Sequence, residues 1–199
     1  MNLEKPSPRQ GLIVVVSGPS GSGKTTLCHR LAAESAECVY SVSCTTRPPR
    51  EGEVDGQDYH FLDNADFESR VADQQLLEFA KVHDRYYGTL KGPVLDQIRN
   101  GVDVLMDLDI QGAEQLRICA DEEVRQALVD IFIMPSSLDE LKRRVQSRGA
   151  MEARELALRM QNAEREMAEQ PKYRHTIITG DREADFRAFG EILAVERVR

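Results

Sequence analysis

The sequence predicts an α/β fold in which a parallel sheet is covered by helices, and three observations carry that prediction. Leu12 to Val16, Val102 to Ile110 and Leu128 to Met134 are apolar runs that lack the strict in–out alternation of a half-exposed strand. Longer segments of helical spacing separate them, as strand–helix–strand units require. The first run ends in Ser17-Gly18-Pro19-Ser20-Gly21, a stretch that neither a helix nor a strand tolerates.

Taken in order, Lys24 to Glu34 reads as a helix, with Leu27 and Leu31 one turn apart. Further helices are expected over Gly92 to Asn100, Gly112 to Cys119, Leu138 to Ser147, Glu152 to Ala168 and Glu183 to Glu196. Thr176 to Thr179 is a weaker fourth strand. Ser137 and Glu140 have the spacing of a capping box before Leu138. Leu138, Leu141 and Val145 then form the buried stripe, and Gly149 is a natural stop. Leu156, Met160, Ala163 and Met167 make the core-facing stripe of the following helix. Residues 36 to 90 break this rhythm. Short strand-like runs (Val39 to Ser43, Tyr59 to Leu62, Leu77 to Val82) surround the basic loop TTRPPREGEVDGQDY. This reads as an insertion with its own small sheet.

The 199 residues suit one domain, long enough to bury a core without disulfides or a structural metal. A formal net charge of −8 argues against a protein that coats nucleic acid or an anionic membrane. The longest aliphatic run, Leu12 to Val16, falls far short of the roughly 20 residues a spanning helix needs. The four cysteines (Cys28, Cys38, Cys44, Cys119) lack zinc-like or CxxC spacing and read as free thiols in a reducing compartment. The polar N-terminus lacks the apolar stretch of a signal peptide, so a cytoplasmic location is expected. The four histidines show no metal or triad spacing and read as structural or surface groups.

Gly18-Pro19-Ser20-Gly21-Ser22-Gly23-Lys24-Thr25, continuing to Thr26, matches the phosphate-binding loop pattern in its confirming context, between a strand and a helix. The glycines let successive N–H groups point into one concavity, and the helix N-terminus adds its positive end. Lys24 would supply a cation to the outer phosphates, and the Thr25 hydroxyl a ligand for Mg²⁺. Asp107, at the end of an apolar strand, is a candidate second Mg²⁺ partner through water, and Asp109 lies beside it. No N-K-x-D motif is present, which favours ATP over GTP as the triphosphate.

The acceptor side is marked by arginines. Arg47 and Arg50 flank Pro48-Pro49, which holds their loop extended, and guanidinium groups suit bidentate phosphate binding. Tyr59 and Tyr87 add hydroxyls for the same anion. Arg144 and Arg148 share one helix face, and Arg159 lies on the next helix. Glu78 sits in the apolar run Leu76-Leu77-Glu78-Phe79-Ala80, where a carboxylate needs a partner. Either the position is half-exposed, or it pairs with an internal arginine, or it accepts from the adjacent N1–H and N2–H₂ donors of guanine, with Ser43 and Thr89 then placed to donate to the guanine O6.

With these residues in place, the chain resembles the guanylate kinase family from about Gly11 to the last helix. The resemblance rests on SVSCTTRPPREGEVDGQDYHF (Ser41 to Phe61), LLEFAKVHDRYYGT, DLDIQGA and FIMPSSLDELKRRVQSRG, in that order. It implies a phosphate-loop core (11–38, 92–136, 171–199), a GMP-binding region at about 39–91, a helical lid at about 137–170, and a flexible tail at 1–10. It also implies transfer of the γ-phosphoryl group of ATP to GMP or dGMP, with Mg²⁺. Gly18 to Thr26 would cradle ATP. Ser43, Glu78 and Thr89 would contact the guanine, Arg47, Arg50, Tyr59 and Tyr87 would hold the GMP phosphate, and Asp109 and Gly88 would lie near the acceptor nucleotide. Arg144, Arg148 and Arg159, with Lys24 and Arg47, would offset charge on the transferring group. The partners are then small molecules, with no nucleic acid and no membrane, and the oligomeric state is left open. Two other readings compete: a kinase of another small phosphorylated acceptor, and an inactive relative that binds a phosphopeptide. At Thr179-Gly180 the family usually carries Asn-Asp.

Overall fold

The computed structural model describes residues 9–82, 84–147 and 152–199. Strand β1 (Ile13–Ser17) runs into the phosphate loop, and helix α1 (Lys24–Glu34) leads back to β2 (Cys38–Tyr40). The inserted region holds β3 (Cys44–Thr45), β4 (His60–Phe61), α2 (Asn64–Ala72), β5 (Leu76–Val82) and β6 (Arg85–Leu90). The chain then returns through α3 (Lys91–Arg99), β7 (Asp103–Asp107), α4 (Ile110–Arg117), α5 (Glu122–Ala127) and β8 (Leu128–Pro135). Helices α6 (Leu138–Gln146) and α7 (Ala153–Ala168) precede β9 (His175–Thr179) and α8 (Arg182–Glu196).

The main sheet is parallel throughout, in the order β2-β7-β1-β8-β9. All five residues of β1 are buried. Alternate side chains leave opposite faces of a strand, and the core divides accordingly. Ile13 and Val15 pack with Met106, Leu116 and Phe132 on one face. Val14 and Val16 pack with Leu31, Ile131 and Phe189 on the other. Leu141, Val145, Leu156 and Ala163 form a separate cluster that joins α6 to α7. The expected α/β class with a parallel sheet is therefore the observed one.

The second sheet has the order β4-β3-β6-β5, with β3 and β4 parallel and the other pairs antiparallel. Two expectations need correction here. The run Val39 to Ser43 does not belong to this sheet. Cys38–Tyr40 pairs with Asp103–Leu105 as an outer strand of the main sheet, and the small sheet begins at Cys44. The strand expected to continue to Ile110 ends at Asp107. The Asp109 carboxylate accepts a hydrogen bond from the Gly112 N–H at 2.8 Å and caps α4, which already contains Ile110. An aspartate at an N-cap outweighs the apolar character of the residue after it.

Two residues of the expected loose tail, Arg9 and Gln10, lie among the described residues. Arg9 donates to the fully buried Asp103 carboxylate at 2.8 Å, which also accepts from the Leu12 N–H and from Arg197. Asp103 thus ties Arg9 and Arg197, far apart in the sequence, to the same strand. The Ser137–Glu140 cap forms in part: the Ser137 hydroxyl accepts from the Glu140 N–H at 3.1 Å, while the Glu140 side chain turns to Arg144. Arg148, the stop expected at Gly149, and His83 lie outside the described residues. No helix among the described residues is long and apolar enough to cross a membrane.

Candidate active site

The phosphate loop is built by two close constraints. A Cβ at Gly18 would meet the Ile133 carbonyl at 2.4 Å, so only glycine lets β1 turn beside β8. Gly23 caps α1 with φ of 104°, in the left-handed region that favours glycine. Lys24 folds back over the loop. Its Nζ donates to the carbonyls of Gly18 at 2.8 Å and Pro19 at 3.4 Å, and lies 3.9 Å from Asp107. The Thr25 hydroxyl donates to the Asp107 carboxylate. These groups line a cavity of about 500 Å³ together with Asp109, Ile110 and Glu166. Burial pushes Glu166 above the usual carboxylate range, and the Lys24 ammonium partly opposes that shift. Composition and spacing had not singled out Glu166, which reaches the loop from α7.

A second cavity, of about 450 Å³, opens on the other side of the loop. Arg144 projects into it from α6. The guanidinium donates to Glu140 at 2.9 Å, to the Thr179 hydroxyl at 3.2 Å and to the Ser22 carbonyl at 3.4 Å. Thr179, at the end of β9, is thus the side chain that holds this arginine against the loop. Arg30, which also lines this cavity, stacks over Phe186 at 4.0 Å. Arg159 is not brought to the loop. It is exposed on α7 and pairs with Glu155 at 2.9 Å.

In the small sheet the paired threonines of TTRPPR have a clear local task. Thr45 donates to the Tyr86 carbonyl at 2.9 Å and accepts from the Arg47 N–H at 3.1 Å. Thr46 accepts from the Tyr86 N–H at 3.0 Å. The loop bearing Arg47 is therefore stapled to β6, beside Tyr87. Arg47 lies 5.3 Å from the centre of the Tyr59 ring, and Tyr59 meets Tyr87 edge-on at 6.2 Å. Glu53, which the sequence reading passed over, grips Arg47 through two bonds of 2.9 Å and accepts from the Arg50 N–H at 2.7 Å. Those bonds hold its carboxyl below the usual range. They also hold the Arg47 fork in one orientation, while Arg50 stays exposed.

Glu78 and Thr89 face each other across β5 and β6, and the Thr89 hydroxyl donates to Glu78 at 2.7 Å. Among the described residues no arginine partners Glu78, so the internal-pair reading gains no support there. Burial pushes its pKa up to about 7. The bond from Thr89 opposes this, and the charge of Asp109 adds to it. Ser43 is half-buried at the entrance to β3, and Gly88 is buried within β6. The Cys44 thiol donates to the Gly88 carbonyl at 3.2 Å, and burial pushes its pKa up to about 11. A thiol held protonated is a poor nucleophile. In the folded protein Cys44 is accordingly expected to react with iodoacetamide at pH 7.5 at least tenfold more slowly than free cysteine; labelling read by mass spectrometry at matched rates would contradict this.

Comparison with known proteins gives one consistent result. The guanylate kinase family model matches residues 10–193. A guanylate kinase of Ruegeria is 42% identical over 191 residues, covering 96% of this chain and 87% of that protein. A guanylate kinase of Novosphingobium aromaticivorans is 43% identical, covering 96% and 85%. The crystal structure of guanylate kinase from Anaplasma phagocytophilum superposes with a TM-score of 0.73 at 31% identity, covering 96% of this chain and 88% of that one.

Proposed function

This chain belongs to the guanylate kinase family, and on that premise we propose that it moves the γ-phosphoryl group of ATP onto GMP, giving ADP and GDP, through the residues placed above. The observation that carries the assignment of residues is the position of Asp109. It lines the phosphate-loop cavity and also acts electrostatically on Glu78. On this reading the triphosphate site and the base-reading carboxylate are neighbours across the N-terminus of α4, which supports the assignment.

The acceptor oxygen of a nucleoside monophosphate is already anionic, so no general base is needed. The protein must instead bring two polyanions together and offset their charge. Loop N–H groups and Lys24 take the triphosphate. Arg47, held ready by Glu53, takes the acceptor phosphate with Tyr59 and Tyr87, and Arg50 stands at the rim. Arg144 lies against the loop from the opposite side. Arg159 and Arg148 complete the set in this reading, Arg159 by swinging in with α7. Glu78 and Asp109 accept the guanine donors, while Ser43 and Thr89 supply hydroxyls.

The Thr25 hydroxyl and the Asp107 carboxylate are hard oxygen donors that touch each other beside Lys24. That donor set fits Mg²⁺, which takes one or two protein oxygens plus phosphate oxygens and waters. When bound there, the ion would neutralise charge on the β- and γ-phosphates.

The test is chromatographic detection of products from Mg·ATP with GMP, dGMP, AMP, CMP or UMP. ADP and a nucleoside diphosphate should appear with GMP and dGMP, at least about 100-fold faster than with the other three. Turnover confined to another acceptor would keep the phosphate-loop chemistry and discard the guanine assignment.

A further inference from the structure

The outer strand of the small sheet is closed by a side chain. Strand β5 pairs with β6 on one side only, so its other edge presents unpaired backbone groups. At Phe79 that edge is met by Gln115 of α4. The Phe79 N–H donates to Gln115 Oε1 at 3.1 Å, and Gln115 Nε2 donates to the Phe79 carbonyl at 2.9 Å. A primary amide here copies the two-bond exchange of a neighbouring strand.

We propose that Gln115 is a positioning residue for acceptor-base recognition: by clasping Phe79 it sets the distance between Glu78 and Asp109. Three observations bear on this. Phe79 directly follows Glu78 in β5, so a fixed backbone at 79 fixes the origin of the Glu78 side chain. Asp109 caps the same helix that carries Gln115. Gly112, three residues before Gln115 and on its face of α4, lies against the Glu78 carboxylate. A Cβ there would lie 3.2 Å from Glu78 Oε2. The helix and the strand therefore meet at two levels, through the clasp and through the carboxylate itself. Beside these contacts β5 has a register shift between Leu76 and Glu78. Such a shift interrupts the ladder with β6 next to Glu78, and α4 supplies a second anchor beside it.

The proposal rests on the reading of Glu78 as the guanine acceptor, and the experiment separates the two. Steady-state kinetics would be measured with GMP and with IMP, which lacks only the guanine amino group, on the full chain and two variants. Gln115→Met keeps the length of the side chain and removes both hydrogen bonds. Gln115→Glu keeps only the acceptor for the Phe79 N–H, and serves if the methionine variant does not fold. Each folded variant is expected to raise KM for GMP roughly tenfold and to reduce the GMP-over-IMP preference, with KM for ATP and the melting temperature unchanged. A purely structural clasp would lower the melting temperature and leave the preference alone, and that result overturns the proposal. So does a folded variant with unaltered GMP kinetics. If the unmodified chain itself shows no preference for GMP over IMP, the Glu78 reading fails, and the positioning role with it.

Discussion

Replacing Lys24 by Met is expected to lower kcat about 10³-fold while leaving the fold intact. The side chain contributes little to stability, because its ammonium hydrogen-bonds to carbonyls of its own loop and lies a loose 3.9 Å from Asp107. Its value lies in where the charge sits, beside Thr25 and Asp107 at the head of α1. Removing one preorganised donor from a phosphoryl- or acyl-transfer site typically costs 10²–10³ in rate, and here the donor is a full charge. Arginine should not rescue it, since the planar guanidinium is larger and cannot sit on the same two carbonyls. Single-turnover kinetics with a thermal melt check this. A Lys24→Met protein that melts normally and retains more than a tenth of its rate would remove Lys24 from the mechanism.

The second large effect is at Glu78, and it has a sign that can be worked out. Two donors of guanine need an ionised carboxylate, but burial raises this pKa to about 7. Binding must therefore release a proton at lower pH. The kcat/KM for GMP is expected to fall about tenfold per unit below pH 7 and to level off above it. Glu78→Gln should abolish that inflection and lower kcat/KM for GMP about 10³-fold, because its amide would face guanine N–H groups. Stability should move the other way. The folded pKa is raised above the ordinary 4.5, so above pH 4.5 the unfolded chain sheds the proton first. The carboxyl then destabilises the fold progressively up to pH 7, by roughly 3 kcal/mol in full. The glutamine variant should be more stable than the parent at pH 8 and equal to it near pH 4. A flat pH profile for the parent would contradict the shifted carboxyl.

Both effects concern residues that the sequence already singled out, and the reason is local. A phosphate loop or a lone Glu in an apolar strand announces itself within a few residues. The parallel core was legible for the same reason, since a strand buried on both faces is apolar along its own length. What stayed hidden depended on partners far along the chain. Gln115 looks like any exposed helical glutamine until β5, 36 residues earlier, arrives beside it. Glu166 looks like a solvated charge until α7 is placed against the loop. Glu53 lies only six residues from Arg47, yet nothing in an acidic loop reveals that its carboxylate turns back. Helices α2 and α5 were within reach: Asp63 and Asp121 cap them through the N–H groups of Asp66 and of Glu123 and Val124. Only one residue of α2, Phe67, is buried and α5 is short, so neither shows a clear apolar period, and the caps alone were the signal.

The central claim is that this kinase fold reads guanine through the amino-group donors that face Glu78. The most direct test is the ratio of kcat/KM for GMP to that for IMP at pH 8, where Glu78 is ionised. A buried acceptor left without its donor discriminates strongly, so the predicted ratio is about 10² or more. Equal turnover of the two nucleotides would contradict it and return Glu78 to the small sheet as a structural group.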